Sequence, residues 1–230
     1  MGTLHGSSDQ MNFHDGALED LWEFKGGRDH RNGQVELRDK WNENPVTFST
    51  HSDDFYRDYV GDSYLYDLAY WHASKTLGLW INLVAGFSRG VVWDFGGGIG
   101  SYSLLLASMD DVIEVWYDDI NPENREFAQW RFEKHGLADK IKLGRPKDTC
   151  DTIVALDVIE HLTDPHGQML WFAMCTHKGS RLVVNVTAHD SGGEHPMHIM
   201  GTVEAAHWWE ELQKRWDILK SGSPSVWTKK

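Results

Sequence analysis

The 230-residue sequence has little cysteine and little positive charge. Its two cysteines, Cys150 and Cys175, lack CxxC spacing and are too few for a disulfide framework, which is typical of a reducing, cytoplasmic compartment. The chain carries 22 Lys and Arg residues against 35 Asp and Glu residues, a net charge of -13 at pH 7. Because surfaces that bind DNA or RNA normally need clustered positive charge, a nucleic-acid partner is disfavoured.

Long hydrophobic runs are also missing. No stretch approaches the roughly 20 apolar residues of a membrane span, and the first ten residues lack the basic-then-apolar order of a signal peptide. We therefore expect a soluble, cytoplasmic protein that does not bind membranes. The first ten residues are polar and rich in Gly and Ser, and we interpret them as a flexible tail or an expression remnant.

The composition is that of a folded protein, with 40% hydrophobic residues and 12 Trp, 7 Tyr and 9 Phe. The length suits one domain with an N-terminal extension. We predict a tail and cap or lid over residues 1–57, irregular apart from a short helix around Ala17–Phe24. The main domain is predicted over residues 58–230 and begins with one or two amphipathic helices between Asp58 and Phe87.

Short apolar runs then alternate with helical patterns, which indicates βαβ units and a mostly parallel sheet. A further helix is predicted after Val203, and a final hairpin pairs 217–219 with 225–229. The predicted strands are Gly90–Phe95, Val112–Tyr117, Lys140–Leu143, Thr152–Leu156 and Arg181–Val186. The predicted helices between them are Ser101–Ser108, Pro122–His135 and Pro165–Thr176.

The strongest motif is VVWDFGGGIGSYSLLLAS, a strand that ends near Asp94 and continues through a glycine-rich turn into a helix. Glycines permit positive φ and let a ligand lie against bare backbone. A strand, a glycine-rich turn and a helix together form a nucleotide-binding crevice at the carboxyl end of a parallel sheet.

An acid that binds ribose is expected about 20 residues beyond such a turn. The next strand ends in Asp118 and Asp119, and Asp119 lies 19 residues past Gly100. Dinucleotide and adenosyl cofactors both use such an acid, so this spacing does not separate them. A purely structural role is also open, in which Asp94 caps the next helix and Asp119 or Asn121 caps the helix that Pro122 begins.

Three segments resemble the class I S-adenosylmethionine-dependent methyltransferases, in particular the ubiquinone-biosynthesis and type 11 or 12 small-molecule groups. They are DFGGGIG at 94–100, DINP at 119–122 and DTIVALDVIEHLTDP at 151–165. The resemblance covers residues 90 to about 188. It implies a Rossmann-like, doubly wound α/β fold with about seven strands, the last one antiparallel, helices on both faces and an N-terminal helical cap.

The resemblance also implies S-adenosylmethionine as cofactor and assigns residues to its parts. The ribose diol would meet Asp119, and adenine would pack on Ile120. Because the third-strand region is shorter than usual, Arg145 and Asp148 both stay open as partners of the adenine amino group. The residues implied on the methionine side are Asp94, the backbone of Phe95, Gly96 and Gly98, with Gly100 opening the helix, and Asp157 and Val158 at the fourth strand.

Histidines cluster after the fourth and fifth strands, where substrates bind in parallel sheets. Histidine is suited to removing a proton from an acceptor near neutral pH, so His161, His195 and His198 are the catalytic candidates. They could equally be polar loop residues. The set His189, Asp190, Glu194, His195 and His198 could instead hold a metal, and would suit Zn²⁺ or Fe²⁺ better than Mg²⁺, but it has no fixed ligand spacing and we predict no metal.

Aromatic residues offer two further hypotheses. An N-terminal lid carrying Tyr56, Tyr59 and Tyr64 would close over the cofactor. Several tryptophans would either form an aromatic wall for the substrate or belong to the core. They are Trp22, Trp41, Trp71, Trp80, Trp208 and Trp209.

We predict an enzyme that methylates an O, N or C atom of a small molecule; the oligomeric state stays open. A nucleic-acid or protein methyltransferase is the alternative, against which stand the acidic charge and the lack of an NPPY-like tetrapeptide or a Pro-Cys pair. An NAD-dependent oxidoreductase is disfavoured because no Tyr-x-x-x-Lys is present. A methyltransferase-like partner protein that binds the cofactor without catalysis stays possible.

Overall fold

A seven-stranded β-sheet forms the centre of the computed structural model, which describes residues 13–73, 77–188 and 195–230. The strand order across the sheet is β3-β2-β1-β4-β5-β7-β6. The strands are β1 (Gly90–Phe95), β2 (Val112–Asp118), β3 (Ile141–Leu143), β4 (Cys150–Ala155), β5 (Thr176–Val184), β6 (Trp216–Lys220) and β7 (Ser225–Lys229).

Strands β1 to β5 pair in parallel, whereas β7 runs antiparallel to both of its neighbours, β5 and β6. The predicted α/β fold, with a mostly parallel sheet and an antiparallel last strand, is confirmed. The order reverses at β1, which lies between β2 and β4. In a doubly wound sheet the ligand crevice opens at this reversal, outside the carboxyl ends of the strands.

Helices cover both faces of the sheet because successive residues of a strand point to opposite sides. Val92 belongs to the core on one face, together with residues of α6, α7 and α8. Trp93 belongs to the core on the other face, with residues of α9 and α10. The helices are α1 (Ala17–Lys25), α2 (Gly33–Glu43), α3 (Pro45–Thr50), α4 (Ser52–Asp54), α5 (Ser63–His72), α6 (Gly78–Phe87), α7 (Ser101–Ala107), α8 (Pro122–Lys134), α9 (Pro165–Met174) and α10 (Thr202–Arg215). Single helical turns lie at Phe55–Tyr59, Ala138–Lys140 and Ile159–His161.

The helices after β2 and β4 begin where the sequence predicts. Asn121 accepts a hydrogen bond from the backbone N–H of Asn124, and Pro122 occupies the first turn of α8. Asp164 caps α9 in the same way, through the N–H of Gly167. Side-chain caps satisfy backbone donors that a helix leaves open, and proline lacks the donor that would need one.

The prediction of an irregular N-terminal segment was wrong beyond its first helix, because α2, α3 and α4 follow α1. Helix α2 buries only Gly33, Leu37 and Trp41 among its 11 residues, so its apolar pattern is too sparse to recognise. Its stability comes from Asn32, which caps it, and from packing against α5. The division at residue 57 stays a prediction.

Strand β5 also differs from its prediction, since it begins at Thr176 rather than Arg181. The added residues 176–180 are largely polar, but Thr176 pairs with Cys150 at the start of β4. The preceding helix α9 accordingly ends at Met174, before the predicted Thr176. Strand pairing therefore overrides the polar sequence here.

A buried ion pair fixes the N-terminal helix to the main domain. Arg131 of α8 is fully buried, and its Nε donates to Asp20 of α1 at 2.8 Å. Its other guanidinium nitrogens donate to the carbonyls of Ile99 and Phe13 and to the hydroxyl of Ser101. Because Ile99 and Ser101 flank the end of the glycine-rich turn, Arg131 joins the cap to that turn. Within the described ranges, no helix is long and apolar enough to cross a membrane.

Candidate active site

The glycine-rich turn follows β1 and presents bare backbone at two positions. Gly96 has φ = +67° and Gly98 has φ = +53°, a region that side chains disfavour. A Cβ at Gly96 would lie 2.6 Å from Val158 Cγ2, and one at Gly98 would lie 3.0 Å from Leu68. Both positions therefore require glycine for conformation and for close approach.

The carboxylate of Asp119, just after β2, holds this turn. Its Oδ2 accepts the backbone N–H of Gly98 at 2.8 Å, and its Oδ1 accepts the N–H of Asn121 at 2.9 Å and the amide of Asn124 at 3.3 Å. The Tyr117 hydroxyl donates to the carbonyl of Gly98 at 2.6 Å. These hydrogen bonds join the turn after β1 to the carboxyl end of β2.

Two buried carboxyl groups lie beside this turn. Asp94, in β1, accepts a hydrogen bond from the Ser103 hydroxyl at 2.6 Å, and the backbone of Ser103 in α7 also interacts with this carboxyl group. Burial, together with the nearby charge of Asp119, raises the pKa of Asp94 to about 7, although hydrogen bonds from Ser103 oppose the shift. Burial likewise raises the pKa of Asp119 to about 6. Two buried acids of this kind favour a ligand that brings positive charge.

A cavity of about 820 Å³ opens above the turn, between the sheet edge and the N-terminal helices. Volumes of this size are usual for small-molecule sites. Gly96, Gly97, Gly98 and Asp94 form part of its lining, and the cap and α5 supply the opposite wall. Residues from that wall include Tyr56, Tyr64, Asp67, Leu68 and Trp71.

Asp157, after β4, lines the cavity in a strained conformation, since its φ is +50°. Asn185 at the end of β5 holds it by two hydrogen bonds. Its Oδ1 accepts from the Asp157 N–H at 2.8 Å, and its Nδ2 donates to the Asp157 carboxylate at 2.6 Å. Burial raises the pKa of Asp157, although hydrogen bonds from Asn185 and Trp71 oppose the shift.

The three catalytic candidates lie together at the cavity wall. The ring centroids of His161 and His198 are 4.8 Å apart, and His195 stacks on His198 at 5.1 Å. Nδ1 of His161 lies 2.9 Å from the Met197 carbonyl and 2.9 Å from the Tyr56 hydroxyl. Burial lowers the pKa of His161 to about 3, and repulsion from His198 adds to the effect. His161 is therefore neutral at pH 7.

Glu160 is the principal residue that the sequence reasoning missed. Its side chain is fully buried, and its Oε2 has no hydrogen-bond partner in the described part of the chain. Burial raises its pKa to about 8, and the charge of Asp157 adds to the shift. Possible ligand atoms of Glu160, His161 and His198 all lie within 4.8 Å of one another, a grouping that could hold a metal ion.

A second groove, of about 460 Å³, lies at the ends of β2 and β3. Asp119, Pro122 and Gly144 line it, and Ile120 beside them is 39% exposed. Arg145 donates to the carboxylate of Asp118 at 3.0 Å, so this candidate for the adenine contact is engaged at the rim of the groove. Asp148 has no such contact described.

The other predicted cofactor residues have structural surroundings. The Phe95 side chain packs on Trp93 and Phe172 in the core. A Cβ at Gly100 would lie 2.5 Å from Phe132, so Gly100 allows α7 to approach α8. Val158 packs against the turn at Gly96.

The aromatic hypotheses divide between the cavity and the core. Trp71 and Trp80 line the cavity, with ring centroids 6.3 Å apart. Trp41 and Trp208 are buried in the core, and Trp209 packs against the core with Trp208. Trp22 lies near the surface, where it contacts His30. Of the proposed lid tyrosines, Tyr56 and Tyr64 line the cavity, whereas Tyr59 is 52% exposed.

Three members of the metal set considered from the sequence, His189, Asp190 and Glu194, lie outside the described residues.

Two residues that shape the site, Glu160 and Asn185, had recognisable but weak signals in the sequence. Glu160 precedes His161 directly in the DVIEH segment, and Asn185 is an amide that directly follows the apolar end of β5. Buried polar residues at strand ends often serve a site.

Comparison with known proteins agrees with the fold. The family model described as "Methyltransferase domain" matches residues 70–223, more than half of the chain. No curated protein shows significant sequence similarity. An O-methyltransferase family protein from Burkholderia thailandensis is 13% identical and has a TM-score of 0.58, over 86% of this chain and 71% of that one.

A second solved structure is that of the [4+2]-cyclase SpnF. It is 17% identical and has a TM-score of 0.53, over 93% of this chain and 74% of that one. At such low identities both likenesses show the fold, and the residues of the site carry the argument about chemistry.

Proposed function

The chain belongs to the methyltransferase-domain family, and from this premise we propose that it transfers a methyl group from S-adenosylmethionine to a small-molecule acceptor. The observation that carries the proposal is the bare backbone of Gly96 and Gly98, which lies between the acids Asp94 and Asp119 at the ends of neighbouring strands. This arrangement fits a ligand that has a ribose and a positive charge. Such a ligand would lie directly against the glycine backbone.

The residues around the turn fit the parts of the cofactor. Asp119 would accept a hydrogen bond from the ribose diol while it holds Gly98, because a carboxylate has four lone-pair sites and three of them already accept from Gly98, Asn121 and Asn124. Asp94, with Asp157 across the cavity, would compensate the positive charge of the methionine portion. Ile120 and the groove at Gly144 would take adenine. The bound cofactor supplies a methyl group activated by a sulfonium.

A small acceptor is supported by the form and charge of the cavity. The cap and α5 cover the glycine turn, so the volume suits a ligand rather than a macromolecular strand. The acids Asp67, Asp94 and Asp157 line it, and the net charge of -13 disfavours a polyanion. The free cysteines Cys150 and Cys175 support a reducing, cytoplasmic location.

The protein would act mainly by positioning, because an in-line displacement needs the acceptor close to the methyl group and aligned with it. Trp71, Trp80 and the histidines all line the cavity and would orient the acceptor there. Because burial lowers the pKa of His161 to about 3, this imidazole is a weak base, and His195 and His198 are the residues placed to take a proton.

Calorimetry with S-adenosylhomocysteine and with NAD tests the cofactor. We expect binding of S-adenosylhomocysteine at one equivalent and none of NAD; tight NAD binding without the homocysteine compound would overturn the proposal. Turnover of S-adenosylmethionine is then measured with low-molecular-weight and macromolecular cell fractions. Turnover with the first fraction supports a small acceptor. Turnover with the second alone supports the nucleic-acid or protein alternative, and binding without turnover supports a silent partner protein.

A further inference from the structure

A cluster of one carboxylate and two imidazoles lies at the cavity wall, where His161 and His198 line the cavity and Glu160 is buried beside them. We propose that Glu160, His161 and His198 bind a divalent transition-metal cation, and that this cation holds a hydroxyl oxygen of the acceptor. The second half of the statement rests on the proposed function. Possible ligand atoms of the three residues lie within 4.8 Å of one another.

The position of the Glu160 carboxylate favours a bound cation. Its side chain is completely buried and its Oε2 has no hydrogen-bond partner in the part of the chain that the structure describes. Its Oε1 accepts a long hydrogen bond, 3.4 Å, from the N–H of Thr187, and the carboxylate also interacts with the Thr187 side chain and the backbone of Glu160 itself. A buried carboxyl group is stable when it is protonated or when donors or a cation compensate its charge, and a bound cation would occupy the side of Glu160 that has no described donor.

The orientation of the His161 ring is also typical of a metal ligand. A carbonyl oxygen only accepts hydrogen bonds, so the 2.9 Å contact between Nδ1 and the carbonyl of Met197 places the proton on Nδ1. Nε2 of the neutral ring then carries the free lone pair. Histidines that bind metals nearly always donate their other N–H to a backbone carbonyl or a carboxylate in this way.

Backbone hydrogen bonds join the segment of Glu160 and His161 to the segment of His198. The backbone N–H groups of Ile199 and Met200 both donate to the carbonyl of Glu160, at 3.0 and 3.2 Å. The ring of His198 is therefore held beside that of His161, with centroids 4.8 Å apart. Such positioning lowers the entropic cost of assembling ligands from distant parts of a chain.

The chemistry of the donors selects the cation. Two imidazoles and one carboxylate suit Zn²⁺ in catalytic sites and also suit Fe²⁺ and Co²⁺, whereas Mg²⁺ prefers oxygen ligands. Three protein ligands leave coordination positions open. Because His161 and His198 line the cavity, an open position would be accessible to the acceptor.

A bound cation would favour loss of the proton from the acceptor hydroxyl, as it does for bound water. The proton passes to solvent, directly or through His195. The acceptor oxygen then forms a bond to the methyl carbon, and the bond from that carbon to sulfur breaks with its electron pair staying on sulfur. The cation keeps its oxidation state, so no oxidant or reductant is needed. The acceptor class is thus an alcohol, a phenol or another hydroxyl compound.

The test is titration of metal-free protein with Zn²⁺ in competition with a chromophoric chelator, and with Co²⁺ followed by visible absorption. We expect one equivalent of Zn²⁺ and Co²⁺ bands typical of four- or five-fold coordination. Glu160→Gln and His198→Asn should each weaken Zn²⁺ binding more than about tenfold, the lower limit for losing a supporting group. His177→Asn, at an exposed pair with Asp151, is the matched control and should bind as the unmodified protein does.

Circular dichroism shows whether the buried Glu160→Gln variant folds; His198→Asn changes a less buried residue and serves if it does not. The inference is overturned if the unmodified protein binds no equivalent of Zn²⁺, or binds it no more tightly than both variants do. S-adenosylhomocysteine titration runs in parallel. Normal binding of that compound without Zn²⁺ binding overturns the metal site alone, whereas Zn²⁺ binding without it overturns the methyltransferase proposal and the role of the acceptor.

Discussion

The backbone N–H of Gly98 donates a 2.8 Å hydrogen bond to Oδ2 of Asp119, which joins the glycine turn after β1 to the end of β2. The Tyr117 hydroxyl ties the carbonyl of the same glycine to β2. Asp119 consequently has two tasks in this account: it holds the turn in shape and it accepts the ribose hydroxyls. Substitutions at this pair test both tasks together.

Asp119→Asn should weaken S-adenosylhomocysteine binding by about 1–3 kcal/mol, because ribose hydroxyls and the Gly98 N–H lose a charged acceptor. Isothermal titration calorimetry measures the change. Asp118→Asn is the matched control, since Asp118 pairs with the exposed Arg145 instead. Equal losses in the two variants would show that the wrong acid has been assigned.

Gly98→Ala should block the cofactor as well as strain the turn. Gly136 also has positive φ, +69°, but a Cβ there meets nothing within 4 Å. The positive φ should cost each variant about 1–2 kcal/mol of folding stability, with an added cost at Gly98 from the close approach to Leu68, and Gly98→Ala alone should reduce affinity for S-adenosylhomocysteine. Thermal melting and calorimetry separate the two effects, and unchanged affinity in Gly98→Ala would place the ligand elsewhere. Gly96 is less suitable because its Cβ would also displace Val158.

The raised pKa of Asp94, about 7, predicts a pH-dependent affinity. As the pH rises from about 5.5 to about 7.5 this carboxyl group ionises and attracts the ammonium of S-adenosylhomocysteine, so affinity should increase by at most tenfold per pH unit. Asp94→Asn should flatten the profile. A profile that is equally steep in the variant would assign the effect to another group.

The same pKa values predict the stability of the ligand-free protein. Asp94 and Asp119 have folded pKa values above the unfolded value of 3.8, so the folded state binds more protons between those values. Their contribution to stability is full below the unfolded pKa and is lost as the pH rises through about 6 to 7. Melting curves should show this loss, and Asp94→Asn should reduce it; an unchanged pH dependence in that variant contradicts the assignment.

Asn185→Ala should relax the strained backbone of Asp157. The variant removes both the acceptor for the Asp157 N–H and the donor to its carboxylate, which should cost about 1–3 kcal/mol of stability. Cofactor affinity should fall as well, because Asp157 lines the cavity. Chemical denaturation and calorimetry measure the two losses. Loss of stability with unchanged affinity would leave Asp157 a structural role only.

The sequence predicts the turn well because its signals are local: a β-branched strand, Asp94, the glycines and a helix follow one another directly. Helix α2 escapes prediction because only Leu37 and Trp41 mark its buried face. The Glu160 cluster escapes it for a different reason. Its geometry depends on the Ile199 N–H reaching the carbonyl of Glu160, a contact between segments about forty residues apart that no local pattern encodes.

The most direct measurement is a crystal structure of the protein with S-adenosylhomocysteine. The account predicts electron density along Gly96–Gly98, with ribose oxygens within hydrogen-bond distance of Asp119 and the methionine carbons in the large cavity. Well-ordered ligand at any other place, with the turn left open to solvent, would contradict it.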